Sequence, residues 1–208
     1  MKLFSYVVQH DYGDAPNPYF GYCTLCRCKY REHRGARRNV VELAKQAVDE
    51  GETVWVVGTG GADPKKSAGN GKLVYAMRVD EVLSRGEYLK DSRFKRKRPL
   101  GNGAYKRQRG DNIKPNGKFE TDKQFVLVSR HFYYFGRKAI EIPDRFRDRD
   151  KLGNIEKTGR GFRSRFDTSF IKTFVKWIEN RRRRGRLGEP CGKGWLAGRE
   201  LKRCKSSC

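Results

Sequence analysis

A chain of 208 residues has room for one domain of ordinary size with extensions, or at a stretch two small ones, and one domain with a tail fits better. Its 48 Lys and Arg against 24 Asp and Glu give a net charge of +24, too one-sided for a metabolic enzyme acting on neutral solutes and indicative of a polyanionic partner. Hydrophobic content is only 36%, yet Phe, Tyr and Trp make up 12% of the chain, so aromatic burial can carry a core and general disorder is excluded.

Lys2 to Gln9 alternates like a strand, with Leu3, Ser5 and Val7 on one face and Phe4, Tyr6 and Val8 on the other. His10 to Gly35 is a long loop, because Gly13, Pro16, Pro18 and Gly21 exclude regular structure; loops of that length are more often functional than idle. A helix is predicted over Arg37 to Glu50, with Val40, Leu43, Ala44, Ala47 and Val48 on one face and Gly51 placed for a left-handed cap. Two strands follow, Thr53 to Thr59 and Lys72 to about Leu83. They flank a loop holding Gly60, Gly61, Gly69 and Gly71, with Gly58 just before it. Such a loop lets the backbone approach a ligand closely, and Trp55 and Tyr75 beside it offer flat faces for a base, unless they are simply the core aromatics of a long hairpin.

Gly86 to Asp91 reads as a short helical turn, Arg93 to Pro99 as a basic stretch, and the polar, glycine-rich segment to about Asp122 as a loop. Phe125 to Ser129 and His131 to Gly136 read as another pair of strands, with a short one at Ile140 to Pro143. After a charged loop, Asp144 to Arg165, Asp167 can cap a helix reaching Arg184, whose apolar stripe is Phe170, Ile171, Phe174, Val175 and Ile178. Residues 185–208 are polar and basic and are expected to form a loosely ordered tail on a domain of residues 1–184. The predicted class is α+β, built on a curved sheet or open β-barrel with flanking helices. A doubly wound sheet is disfavoured because the strands come in adjacent pairs.

The charge is concentrated. Residues 93–118 carry ten basic side chains and one acidic, and residues 180–208 carry ten and two, so these segments supply 17 of the 24 net charges. Neither segment lies on an amphipathic helix with an exposed apolar face, so nucleic acid is favoured over a membrane surface. Met1 to Gln9 is too short an apolar run for a signal peptide, no run approaches the roughly 20 apolar residues of a membrane span, and a cytoplasmic protein is expected. In that compartment Cys23, Cys26, Cys28, Cys191, Cys204 and Cys208 act as thiols or ligands rather than disulfides. Cys23, Cys26 and Cys28 with His33 have enough ligands for one zinc, but their spacing fits no common finger, and neither metal nor cofactor is expected.

The runs YVVQHDYGDAPNPYFGYCTLCRCK (Tyr6 to Lys29), VWVVGTGG (Val54 to Gly61), GKLVYAMRV (Gly71 to Val79), EYLKDSRFKRKRP (Glu87 to Pro99), GDNI (Gly110 to Ile113) and VLVSRHFYYFG (Val126 to Gly136) together resemble the nucleotide-modification-associated domain family, second type. The resemblance spans residues 1–180 and implies association, by gene context, with DNA base-modification systems of phages and bacteria. It therefore implies a bacterial or phage-infected cell, DNA as the nucleic acid, and DNA-modification enzymes as further partners. The chain departs from the family after GDNI, where Lys114-Pro115-Asn116-Gly117 stands in place of aromatic and histidine residues. More loosely, the order helix, strand, glycine loop, strand is similar to PUA-like barrels such as EVE, ASCH and YTH domains, many of which hold a modified base in an aromatic-lined pocket.

Two functions remain open at this point. The leading one is a monomeric nucleic-acid or modified-nucleotide binding protein that receives a base near Trp55, Thr59, Gly60 and Tyr75, with Asn17 and Asn112 for polar contacts. Lys72, Arg93, Arg96, Lys97 and Arg98 would then hold phosphates. The competing one is an enzyme of nucleotide or base modification using Asp11, Cys23, Lys29 or Asp111. A basic, RNA-associated structural protein accounts for the charge but not for the polar first loop. Convergence of titratable groups on one site favours catalysis, whereas carboxylates facing water beside lining aromatics favour binding.

Overall fold

The computed structural model describes residues 1–26, 30–33, 36–97, 125–148, 153–159, 161–181 and 183–192, with the backbone alone for 30–33 and 36–38. β1 (Lys2–Val8) is buried on both faces beyond its first residue, and it runs parallel to β5 (Val54–Gly60), from Lys2 opposite Val54 to Val8 opposite Gly60. Parallel neighbours need a crossover. Here it contains β2 (Cys23–Cys26), β3 (Tyr30–His33), β4 (Ala36–Asn39) and α1 (Val40–Asp49). Asn39 both ends β4 and caps α1, its Oδ1 accepting from the Glu42 amide at 2.8 Å. α1 buries Val40, Val41, Ala44 and Ala47 and gives way to Gly51 at φ +78°, as the sequence pattern requires.

β6 (Lys72–Arg78) pairs antiparallel with β5, and the register shifts between Gly58 and Thr59. β7 (Glu81–Ser84) leads into α2 (Arg85–Lys90), started by a Ser84–Glu87 capping box. Then come β8 (Phe125–Ser129), β9 (Phe132–Tyr134), β10 (Ile140–Glu141), β11 (Phe162–Arg163), α3 (Thr168–Glu179) and β12 (Gly185–Arg186). The main sheet has the order β11-β1-β5-β6-β9-β12, with β10 also on β6; β2-β8-β7 forms a second sheet, and β3-β4 a two-stranded ribbon.

Strand alternation sorts the main sheet into two cores. Phe4, Tyr6, Val56, Tyr75 and Met77 face α1 together with Leu25 and Leu127 of the second sheet. Leu3, Trp55, Val57, Ala76 and Tyr133 face Ile171, Phe174, Val175 and Ile178 of α3. The architecture is mixed α+β, and no closed barrel forms among the described residues.

Several expectations change. β2 and β3 form within His10 to Gly35, the segment read as a loop, and the strand read from Lys72 to about Leu83 divides into β6 and β7, which lie in different sheets. β8 and β9 are not paired with each other, because the chain switches sheets at Arg130–His131 as it does between β6 and β7. Asp80 holds that corner: its Oδ2 accepts from the Arg130 and His131 amides at 2.7 and 3.2 Å, and its own amide donates to Val128 O. Residues 185–192 of the expected tail pair and pack: β12 lies parallel to β9, and Arg137 N donates to Glu189 O at 2.7 Å. Among the described residues no helix is long and apolar enough to cross a membrane.

Candidate functional site at the carboxyl ends of β1 and β5

Parallel strands present their carboxyl ends together, and the loops leaving them are where open α/β sheets bind ligands. β1 and β5 end at Val8 and Gly60, so the first loop and the glycine loop emerge side by side. Two contacts join them at close range: Asp11 N donates to Lys66 O at 2.8 Å, and the Ser67 hydroxyl donates to Val8 O while accepting from Gly61 N at 3.1 Å. Glycine is obligatory at position 60, since a Cβ there would lie 1.9 Å from Gly69 O.

Asp11 is the centre of this junction and is only 1% exposed. Its Oδ1 accepts from the Tyr134 hydroxyl, and its Oδ2 from the Cys191 amide at 3.2 Å. Its carbonyl accepts from Gly192 N at 2.8 Å, so one residue ties together the first loop, the glycine loop and the strap formed by residues 187–192 after β12. The strap is clasped from the other side by Arg137, which donates to Pro190 O at 2.9 Å and Cys191 O at 3.2 Å. Burial pushes the Asp11 carboxyl above its ordinary value, against the opposing hydrogen bonds from Tyr134 and Cys191. Tyr134 is raised well above its ordinary value, by burial first and by the Asp11 charge second. Burial likewise raises the Cys191 thiol, whose Sγ accepts from Ala68 N at 3.2 Å. A buried carboxyl in contact with a phenol is a group that can hold or pass a proton. His10 and Tyr12, on either side of Asp11, are exposed and stack on each other at 5.7 Å and 11°.

The other expected site residues are placed as follows. Asn17 is buried, with Oδ1 accepting from Tyr19 N at 3.3 Å and Nδ2 unpartnered. Cys23 and Cys26 lie three apart on β2 and therefore face opposite ways, into different apolar clusters; among the described residues no group of His, Cys, Asp and Glu could hold a metal ion. Lys29, Arg98, Asp111 and Asn112 lie outside the described residues.

Trp55 and Tyr75 do not form a stacking platform. They are 1% and 0% exposed and lie on opposite faces of the main sheet, Trp55 against His131 and Tyr75 against Tyr6, to which it is hydrogen-bonded OH to OH at 2.8 Å. Thr59 is buried too, its hydroxyl accepting from Lys157 N at 3.2 Å.

Among the cations, Lys97 is the clearest correction: it is fully buried, and its ammonium donates to Asn17 O and Tyr22 O at 2.8 Å each and to Thr24 Oγ1 at 3.2 Å. It latches the first loop rather than reaching for phosphate. Arg93 is committed to Glu81 at 2.6 and 3.0 Å and to Asp91 at 2.6 Å, and these carboxylates raise its pKa. Arg96 is exposed and stacks on Phe20 at 3.8 Å, and Lys72 lies 3.8 Å from Glu141.

Sequence reasoning missed Tyr134 and Ser67, and it read Cys191 only as one of six thiols or ligands, in a segment otherwise taken as tail.

No curated protein and no solved structure matches the chain. A family model does, over residues 1–119 and again over 114–197, which takes in the first loop, the glycine loop and the strap. That match covers most of the chain, which belongs to the family described as nucleotide modification associated domain 2.

Proposed function

We propose that this chain serves DNA base modification by binding nucleic acid or a nucleotide, with the base presented to Asp11 at the carboxyl ends of β1 and β5. The carrying observation is Asp11 itself, a carboxyl sequestered where three segments meet, beside an exposed ring pair formed by His10 and Tyr12. Sequestering a carboxylate costs stability, which is reasonable where its acceptor oxygens serve a ligand. The net charge of +24 supplies the attraction for a polyanion. A PUA-like function is supported by the succession α1, β5, glycine loop, β6, although the expected aromatic pocket has no counterpart at Trp55 and Tyr75.

A second reading, catalysis, is favoured by one specific observation: the Asp11 carboxyl lies against two other titratable residues, Tyr134 and Cys191. Titrating the protein with a panel of deoxynucleoside monophosphates and short DNAs, followed by NMR, tests both. Under the binding reading Asp11→Asn weakens the complex tenfold or more while Tyr134→Phe changes it little. Under the catalytic reading both variants keep ligand affinity and lose conversion of the nucleotide, read by mass spectrometry. Equal affinity in wild type and Asp11→Asn, with no conversion by either, refutes the site.

A further inference from the structure

The first loop turns sharply at Tyr19 to Tyr22, and the turn carries three aromatic rings. Tyr19 and Phe20 form a small cluster of their own, apart from the larger apolar clusters, and Tyr22 meets Phe94 edge-on at 5.3 Å. Tyr22 N closes the turn by donating to Tyr19 O at 3.4 Å, and both central residues have positive φ, Phe20 at +59° and Gly21 at +79°. Gly, Asn or Asp ordinarily supplies that conformation, so an aromatic side chain is held there at a backbone cost, a feature that clusters at ligand sites. Lys97 fixes the turn by donating to Tyr22 O, and its neighbour in sequence, the exposed Arg96, reaches Phe20.

Each ring of the turn is faced by an exposed arginine from a different part of the fold. Arg96 lies 3.8 Å over Phe20, Arg186 of β12 lies 4.7 Å over Tyr19, and Arg130, at the corner between β8 and β9, lies 5.6 Å over Tyr22. Arg93 also approaches Tyr22, at 5.7 Å, but Glu81 and Asp91 occupy its guanidinium. A guanidinium laid on a ring keeps its N–H donors in its own plane, where they match phosphate oxygens in pairs, and the ring restricts the side chain before any ligand arrives. Arg186 also meets Glu189 at 2.5 Å, yet both side chains are exposed, and a surface pair of this kind is weak enough for a phosphate to displace the carboxylate. The turn borders the Asp11 site: the Gly13 amide donates to the Asp11 carboxyl, and a Cβ on Gly13 would lie 3.1 Å from Tyr19 Cε2 and 3.4 Å from its hydroxyl.

We infer that Arg96, Arg130 and Arg186, backed by the rings of this turn, grip the phosphates of a single nucleic-acid strand, so that the base presented to Asp11 belongs to a polynucleotide and not to a free nucleotide. Cations gathered around one turn repel each other unless an anion of several charges lies among them. A strand brings one phosphate per nucleotide to such a rim, whereas a nucleoside monophosphate brings a single one. The strand is unpaired at this point because Asp11 is 1% exposed, between loops, and a base must leave the helical stack to enter a site of that kind. The inference rests on the reading of the Asp11 junction as a base site and adds to it the class of substrate.

The test is fluorescence anisotropy of the full chain with a labelled single-stranded DNA of about eight nucleotides over a salt series, with deoxynucleoside monophosphates as competitors. Arg96→Gln/Arg130→Gln/Arg186→Gln should flatten the slope of log affinity against log salt by about 2, at about 0.7 per phosphate of a single strand, and leave competition by monophosphates little changed. Lysine at all three positions should keep the slope but weaken strand binding, because an ammonium does not match phosphate in pairs. Arg163→Gln/Lys172→Gln/Lys176→Gln, which neutralises exposed cations of β11 and α3, is the charge-matched control and should leave the slope near that of wild type. An unchanged slope in the first variant, equal flattening by the control, or a strand bound no more tightly than a monophosphate overturns the inference. Asp11→Asn keeps the two readings apart. If it weakens strand and monophosphate alike while the arginine variant keeps its slope, the grip fails alone; if it weakens neither while the arginine variant flattens, the base site fails and, with it, the claim that the gripped strand presents a base to Asp11.

Discussion

Replacing Lys97 by Met keeps most of a buried stem and deletes the ammonium that joins the segment after α2 to the first loop. Three hydrogen bonds from a charged donor disappear, to Asn17 O, Tyr22 O and Thr24 Oγ1. Their costs do not simply add: Asn17 O still accepts from Thr24 N at 3.0 Å, so the carbonyl most affected is that of Tyr22. Charged hydrogen bonds contribute about 1.5–3 kcal/mol each in isolation, and a net destabilisation of about 2–4 kcal/mol is expected. For a chain of this size that is a fall of about 5–15 °C in Tm. Lys95, two residues earlier and exposed, is the control, and its Met variant should stay within about 0.5 kcal/mol of wild type. The assay pairs thermal melts with DNA titrations over a salt series. A buried latch lowers Tm and leaves the salt slope alone, whereas a phosphate contact leaves Tm alone and flattens the slope by about 0.9. A Lys97→Met protein that melts with wild type but binds with a flatter slope would refute the latch and restore the reading from charge clustering.

Asp11→Asn should melt higher than wild type at neutral pH. Folding raises this carboxyl above its ordinary 3.8, so the stability of the protonated form is fully present below that value and is lost as pH rises through the folded pKa. Melts from pH 3 to 8 should show the gap opening with pH, and a wild type that is the more stable protein at pH 8 counts against a destabilised carboxylate. Trp55→Ala should cost about 3–5 kcal/mol in urea denaturation, with any loss of DNA affinity following the fraction folded; weakened binding by an intact fold would return Trp55 to the ligand site. Gly60→Ala should cost more than about 4 kcal/mol or prevent folding, because its methyl meets the Gly69 carbonyl. Gly159→Ala, whose nearest new neighbour is Lys157 Nζ at 3.5 Å, should be nearly silent, and equal effects at the two positions would refute the close approach.

Local pattern determined much of this protein. The strands near residues 2–8, 54–60, 72–78 and 125–129, the helices at 40–49 and 168–179, the Gly51 cap and the family itself follow from periodicity, turn chemistry and extended motifs, which act between neighbours along the chain. The first loop stood out as a candidate site because its length and its polar residues had no packing role in view.

What the sequence could not decide was which of those residues face each other. Trp55 and Tyr75 looked like partners because both flank the glycine loop, yet the pairing of β5 with β6 puts them on opposite faces of one sheet. Lys97 looked like its basic neighbours until the fold buried it under the first loop. Tyr134 and Cys191 come from 123 and 180 residues beyond Asp11, and only the parallel pairing of β12 on β9 brings the strap across that carboxyl. A side chain's proton affinity and its availability to a ligand depend on burial and on distant partners, and these are properties of the packed chain that no local spacing encodes.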